Sequence, residues 1–147
     1  MKKKIALAAD HAGYYIKEII KKYIIDYGYE INDFGCHSPE SNDYPDFIHP
    51  AARAVEAGLF DIGFTVCGSG NGMSMTANKY PGIRCALCWN EEISKLARAH
   101  NDANMCSLPG RFVSGAEALL IVKTFLETDF DGGRHKRRID KIPLKRV

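Results

Sequence analysis

Apolar residues along the chain form short continuous or alternating runs, separated by longer stretches with helical spacing. Ile5 to Ala9 is a short apolar run that predicts a strand. Ile16, Ile19, Ile20, Tyr23, Ile24 and Tyr27 then follow the i, i+3, i+4, i+7 rule that lays one apolar stripe along a helix, and Gly28 closes it. Tyr29 to Phe34 alternates as a strand does, and Pro50 to Ala57 predicts a short helix. Asp61 to Cys67 has the Ile, Phe and Val content of a strand buried on both faces. A helix over about Asn71 to Lys79 follows, stopped by Pro81-Gly82, and Arg84 to Trp89 is the fourth strand. Asn90 is placed to cap a helix reaching about Ala99, and Met105 to Leu108 is the fifth strand. Ser114 with Glu117 spells a capping box for a helix to about Leu126.

Strands alternating with helices imply right-handed βαβ units, so the expected fold class is α/β: a three-layer αβα Rossmann-like fold with a five-stranded parallel sheet. Ligands of such sheets bind beyond the carboxyl ends of the strands. Asp10-His11 follows the first strand, Cys67-Gly68-Ser69-Gly70-Asn71-Gly72 the third, and Asn90 the fourth.

Composition narrows the class. The 147 residues, 46% apolar and 26% charged, suit one domain over the whole chain, with no internal repeat or low-complexity tract. No apolar run approaches the roughly 18 residues of a membrane span. Lys2-Lys3-Lys4 before Ile5 to Ala9 imitates the start of a signal peptide, but Asp10 and His11 cut the run short, and a cytoplasmic protein is expected. Five cysteines without a secretory signal read as reduced thiols. Cys85 and Cys88, three apart in a strand, should face opposite sides of the sheet, which disfavours zinc or redox work.

The net charge of +2 is uneven, because the segment from Arg134 onward holds seven Lys or Arg against one Asp, and the remainder 13 against 17 acidic residues. On charge alone a solvated terminal helix, an anion site and a nucleic-acid contact all remain open for this basic segment. The acidic balance elsewhere and the lack of a reader motif rank nucleic-acid binding last, and no such partner is expected.

Three glycines in five residues between a strand and a helix can bring backbone N–H groups against an anion. Met73 occupies the position where the dinucleotide fingerprint starting at Gly68 needs Gly, where the phosphate-binding Gly-Lys loop needs its second Gly, and where a cysteine phosphatase needs Arg. What remains is a thiol, Cys67, beside a nest of amides and a helix N-terminus that would favour its thiolate. Cys36, Cys85, Cys88 and Cys106 lack such a nest and are expected to be inert.

Asp10-His11-Ala12-Gly13, Asp43-Tyr44-Pro45, Cys67-Gly68-Ser69-Gly70, Ala77-Asn78-Lys79, Gly82-Ile83-Arg84, His100-Asn101-Asp102-Ala103-Asn104 and Gly132-Gly133-Arg134-His135 together resemble, in order, the signature segments of the ribose-5-phosphate isomerase B family. The wider family includes allose-6-phosphate and galactose-6-phosphate isomerases. The resemblance implies reversible aldose–ketose isomerisation of ribose 5-phosphate and ribulose 5-phosphate through an enediolate, in carbohydrate metabolism by the pentose phosphate pathway, with no metal or other cofactor. A six-carbon phosphosugar, or a non-catalytic phosphosugar-binding subunit, is the alternative.

It further implies Cys67 as the proton-abstracting base, His100 as the ring-opening acid and Ser69 as a hydroxyl able to shuttle a proton between O1 and O2. Some relatives carry Glu as base where this chain has Met73, and a thioether cannot replace it. The amides of Gly70, Asn71 and Gly72, beside Gly68, would serve the enediolate oxygens. Asp10, Tyr44 and Asn101 would bind sugar hydroxyls, and His11, Arg111, Arg134 and Arg138 the phosphate. Arg134 and Arg138 share a helix face at a spacing of four. Pro109 stands where many relatives have Gly, which bears on how Arg111 is held. Lys136, Arg137, Lys145 and Arg146 are left as solvent-facing, and His37 and His49 as surface or structural residues.

Cys67 ends the third strand whereas His100 precedes the fifth, so within one chain the two are expected at opposite edges of the sheet, about 15 to 20 Å apart by strand rise and length. That distance predicts a homodimer with shared active sites, or a tetramer of such dimers, in which His100 and Asn101 complete the neighbour's site.

Overall fold

A computed structural model describes residues 2–145 of the chain. The elements run β1 (Lys4–Ala9), α1 (Tyr14–Asp26), β2 (Glu30–Asp33), α2 (Tyr44–Glu56), β3 (Ile62–Cys67), α3 (Asn71–Ala77), β4 (Cys85–Leu87), α4 (Glu91–Asn101), β5 (Met105–Pro109), α5 (Gly115–Glu127) and α6 (Arg134–Ile139). The strands form one parallel sheet in the order β2-β1-β3-β5-β4, as the α/β reading requires. The chain leaves β1 in one direction to β2 and returns past it to β3, so the strand order reverses between β1 and β3. Such a reversal is where open parallel sheets place their ligand crevice, at the carboxyl ends of the two strands.

Alternation along the strands divides the core between two faces. Ile5, Leu7, Phe64, Val66, Cys106 and Leu108 meet Ile20 and Ile24 of α1 and Ile121 and Phe125 of α5. Ala6, Ala8, Cys67 and Met105 meet Ile48, Ala51 and Ala52 of α2 and Met73 and Ala77 of α3. The first face is fixed by volume: Phe64 stands edge-on to Phe125 at 5.5 Å, and full burial of such a ring is worth about 2–3 kcal/mol. The second is built from small strand side chains, which bring α2 and α3 close to the sheet beneath the glycine loop. Cys85 and Cys88 fall on opposite faces, as their spacing predicts.

Several boundaries differ from the periodicity. Helix α2 starts at Tyr44 rather than Pro50, because Pro45 sits in the first turn, where its missing N–H costs nothing. Pro50 lies inside the helix and forfeits one backbone bond, which burial of Ile48, Ala51, Ala52 and Val55 offsets. Helix α3 stops at Ala77 instead of Lys79, since the Asn78 side chain takes both backbone groups of Cys85: Nδ2 donates to its carbonyl and Oδ1 accepts its N–H. Arg84 N–H donates to the Asn104 side chain, so β4 begins at Cys85, and Trp89 is exposed beyond its end. The caps at Asn90 and Ser114 form as read, the latter with both bonds of the capping box.

Candidate functional site

The crevice between β1 and β3 collects residues from three strand ends. After β1, Asp10 is buried and its Oδ1 accepts the Gly13 N–H at 3.0 Å, turning the chain into α1. No side chain larger than hydrogen fits at Gly13, where a Cβ would overlap the Val66 backbone. His11 is held reciprocally by Asn42: its N–H donates to Asn42 Oδ1 at 3.1 Å, and its Nδ1 accepts the Asn42 N–H at 3.3 Å. With Nδ1 an acceptor, the proton of the neutral ring sits on Nε2, which can donate to an anion.

After β3, Gly70 adopts the left-handed backbone conformation, φ 78°, as N-cap of α3. Its N–H donates to Cys67 Sγ at 3.2 Å, and the Asn71 N–H donates to Ser69 Oγ at 3.3 Å. Two amides expected to face an enediolate are therefore directed at the sulfur and at the serine hydroxyl. The Gly72 amide remains in the first turn of α3, without an acceptor inside the helix. Cys67 is enclosed, 4% exposed and packed among the small residues of the α2–α3 face, but its sulfur meets an amide donor. Met73, also buried, offers no carboxylate from that turn. The Tyr44 ring lies over Gly72, where a Cβ would come within 2.6 Å of it, so the start of α2 roofs the loop.

After β5, Pro109 stands opposite Cys67, the Gly110 N–H donates to the Cys67 carbonyl at 2.8 Å and the Arg111 N–H to the Gly68 carbonyl at 3.0 Å. Pro109 leaves Arg111 beside the loop: its side chain runs past Gly68, close to Ala12. Asp10, His11, Tyr44, Cys67, Gly68, Ser69, Gly70, Asn71, Gly72 and Arg111 thus gather around one crevice.

His100, Asn101, Arg134 and Arg138 form a second group elsewhere. Helix α4 ends immediately before β5, and Met105, the first residue of β5, lies opposite Gly63, four residues before Cys67. At the rise of a parallel strand that is about 13 Å along the sheet. β3 and β5 are neighbours, so the separation runs along the strands, the direction expected from strand rise and length. The His100 ring stacks on His135 with centroids 4.2 Å apart and planes 8° apart, and its Nε2 lies 3.9 Å from the Asp131 carboxylate. Asp131 is fixed by its N–H to the Ala99 carbonyl at 2.9 Å. Loss of water contact and repulsion from His100, Arg134 and Arg138 hold the His135 imidazole below its ordinary range, and Asp131 opposes them. His100, Asp131 and His135 are also the described residues whose donor atoms, within 4.8 Å of one another, could hold a metal ion.

Asn101, next to His100 at the end of α4, lines a cavity of about 600 Å³ beside the exposed edge of β4. Tyr80, Pro81, Ile142 and Leu144 line it, and Leu144 is 95% exposed. Lys136 donates to Asp140 at the surface, Arg137 and Lys145 are exposed, and Arg146 lies outside the described residues. His49 bonds Tyr80 at 2.8 Å, a structural role. Sequence reading missed Asn42, Asp131 and His135. His135 had a signal in its place beside Arg134; Asn42 had only its position before the Asp43-Tyr44-Pro45 segment.

A parallel α/β sheet with a thiol, a glycine loop and cationic side chains at its reversal point has the form of an enzyme that handles small anionic metabolites. The model of the ribose/galactose isomerase family matches residues 5–142, and the chain belongs to that family. It is 39% identical over 140 residues to ribose-5-phosphate isomerase B of Escherichia coli strain K12, covering 95% of this chain and 94% of that one. With ribose-5-phosphate isomerase B of Mycobacterium tuberculosis strain H37Rv it shares 42% identity over 139 residues, covering 93% and 86%. The crystal structure of a ribose 5-phosphate isomerase from Thermotoga maritima superposes with a TM-score of 0.95 at 48% identity, covering 97% of this chain and 99% of that one. The Mycoplasma genitalium ribose-5-phosphate isomerase B with bound ribulose-5-phosphate does so with 0.92 at 40% identity, covering 95% and 93%.

Proposed function

We propose that the chain interconverts ribose 5-phosphate and ribulose 5-phosphate, as a cytoplasmic homodimer whose sites each draw on both subunits. The observation that carries this reading is the Gly70 N–H on Cys67 Sγ at a strand end, in a family named for sugar isomerases. A thiolate with an amide donor is a base whose charge is compensated without an acid's proton being held on it.

The partner subunit's His100 protonates the ring oxygen as the C1–O bond breaks and the C1 hydroxyl gives its proton to water to become the aldehyde, and the stacking of His100 on His135 and the nearby Asp131 carboxylate orient the imidazole. The Cys67 thiolate takes the proton from C2 of the linear aldose. Electron density moves to O1 as the enediolate forms, with the Gly72 amide facing the charge. Ser69 relays a proton between O1 and O2, and the Cys67 thiol returns its proton to C1. Asp10 and Tyr44 bind sugar hydroxyls, with the partner subunit's Asn101. His11 and Arg111 hold phosphate from one side, and the partner subunit's Arg134 and Arg138 from the other.

Support for the dimer comes from distance and surface. His100 cannot share a sugar with Cys67 of its own chain at about 13 Å along the strands, and the apolar wall of Ile142 and Leu144 beside Asn101 suits a second copy. Cys67→Ala should abolish isomerisation of ribose 5-phosphate, by at least about a thousandfold, while phosphosugar binding by calorimetry stays within a few fold. Turnover undiminished in that variant contradicts the assignment. A parallel assay with allose 6-phosphate and galactose 6-phosphate separates five-carbon from six-carbon preference.

A further inference from the structure

Gly70 addresses two partners at once. Its N–H faces Cys67 Sγ at 3.2 Å, and its carbonyl accepts the Ser107 hydroxyl at 2.7 Å as well as the Ser74 N–H at 3.1 Å. Ser107 lies on β5, fully buried, 37 residues away from Gly70 in sequence. Its register partner on β3 is Thr65, also fully buried, with a hydroxyl that has no hydrogen-bond partner. Burying hydroxyls against Ala8, Met73 and Met105 is unfavourable unless their bonds are made, and an alanine at 107 would avoid that cost. The hydroxyl of Ser107 is instead aimed at the most pliable residue of the loop. A glycine explores left-handed and right-handed conformations alike, and Gly70 is held in the left-handed one, φ 78°, with its amide meeting the sulfur.

We propose that Ser107 is a positioning residue for the reaction: by holding the Gly70 carbonyl it locks the amide that stabilises the Cys67 thiolate. The inference rests on Cys67 as the base, and Ser107 touches neither the sulfur nor the sugar.

The test compares Ser107→Ala and Ser107→Thr in the full-length protein. Loss of one buried hydrogen bond corresponds to about a fivefold effect. Ser107→Ala is expected to lower kcat about fivefold, leaving KM for ribose 5-phosphate unchanged, while Ser107→Thr, which keeps the hydroxyl, stays within about twofold of the parent. Unchanged kcat in Ser107→Ala, or an equal loss in both variants, overturns the proposal. Alkylation of Cys67 by iodoacetamide at neutral pH, followed by peptide mass spectrometry, supplies a readout independent of turnover. It should slow about fivefold in Ser107→Ala and not in Ser107→Thr. An equal rate in all three proteins also overturns it. If Cys67→Ala itself keeps full turnover, the role of the thiol fails, and the alkylation rates still decide whether Ser107 controls it.

Discussion

Burial pushes the Cys85 thiol up to about 12, and burial together with the Cys88 thiol raises Cys106 well above the ordinary range. Neither has an amide directed at its sulfur in the way Gly70 is directed at Cys67. Iodoacetamide at neutral pH should therefore label Cys67 first and remove activity in step with that labelling, leaving Cys85 and Cys106 intact on peptide mapping. Labelling of Cys85 ahead of Cys67 would contradict the distinction. At this scale the sequence was legible where a residue's placement depends on its chain neighbours. Cys67 beside its glycines, and Arg134 four residues before Arg138, could be read from spacing or family signature. Asn42 on His11 and Ser107 on Gly70 could not, because each bond joins positions 31 or 37 residues apart. Only the parallel register brings them together.

Between elements, the seam of α1 and β2 shows what supports the first strand end. Lys17, fully buried on α1, bonds Asp33 at the end of β2 at 2.5 Å, Lys21 bonds the same carboxylate at 2.9 Å, and Asp33 Oδ1 accepts the Gly35 N–H at 3.0 Å. Gly35 and Cys36 continue the pairing to Ala9, so this ion cluster braces the chain entering Asp10 and His11. Desolvation works against the Asp33 charge, but the bonds from Lys17, Lys21 and Gly35 outweigh it and hold the carboxyl below its ordinary 3.8. A carboxyl depressed by folding adds stability above its unfolded value and loses it as pH falls through the folded one. Asp33→Asn should cost about 1.5–3 kcal/mol in urea unfolding at pH 7, because it removes the carboxylate that Lys17 and Lys21 share and leaves the buried Lys17 ammonium with Glu18 as its one charged partner among the described residues. The gap between parent and variant should shrink as pH drops below 3.8. A gap independent of pH would contradict the ion-cluster account. The same scale explains the misplaced boundaries: Pro50 reads as a helix start, yet the apolar face of α2 carries the helix through it.

Across the whole molecule, the alternation of strands and helices made the parallel sheet legible, whereas the strand order was not, since no pattern in the chain states that β5 inserts between β3 and β4. That insertion places Pro109 and Arg111 at the thiol's side. Each chain carries two separate groups of candidate residues: a crevice with thiol, amides and Arg111, and a cluster of His100, His135, Arg134 and Arg138. A two-fold axis can join the crevice of one copy to the cluster of another, forming two equivalent sites. The most direct test is complementation between Cys67→Ala and His100→Ala, each inactive alone, refolded together from denaturant. Random pairing makes half the dimers mixed, and each mixed dimer holds one site with both native groups, so activity should return to about a quarter of the parent's. Failure of the mixture to regain any activity, with mixed dimers confirmed by mass spectrometry, would contradict a site shared between subunits.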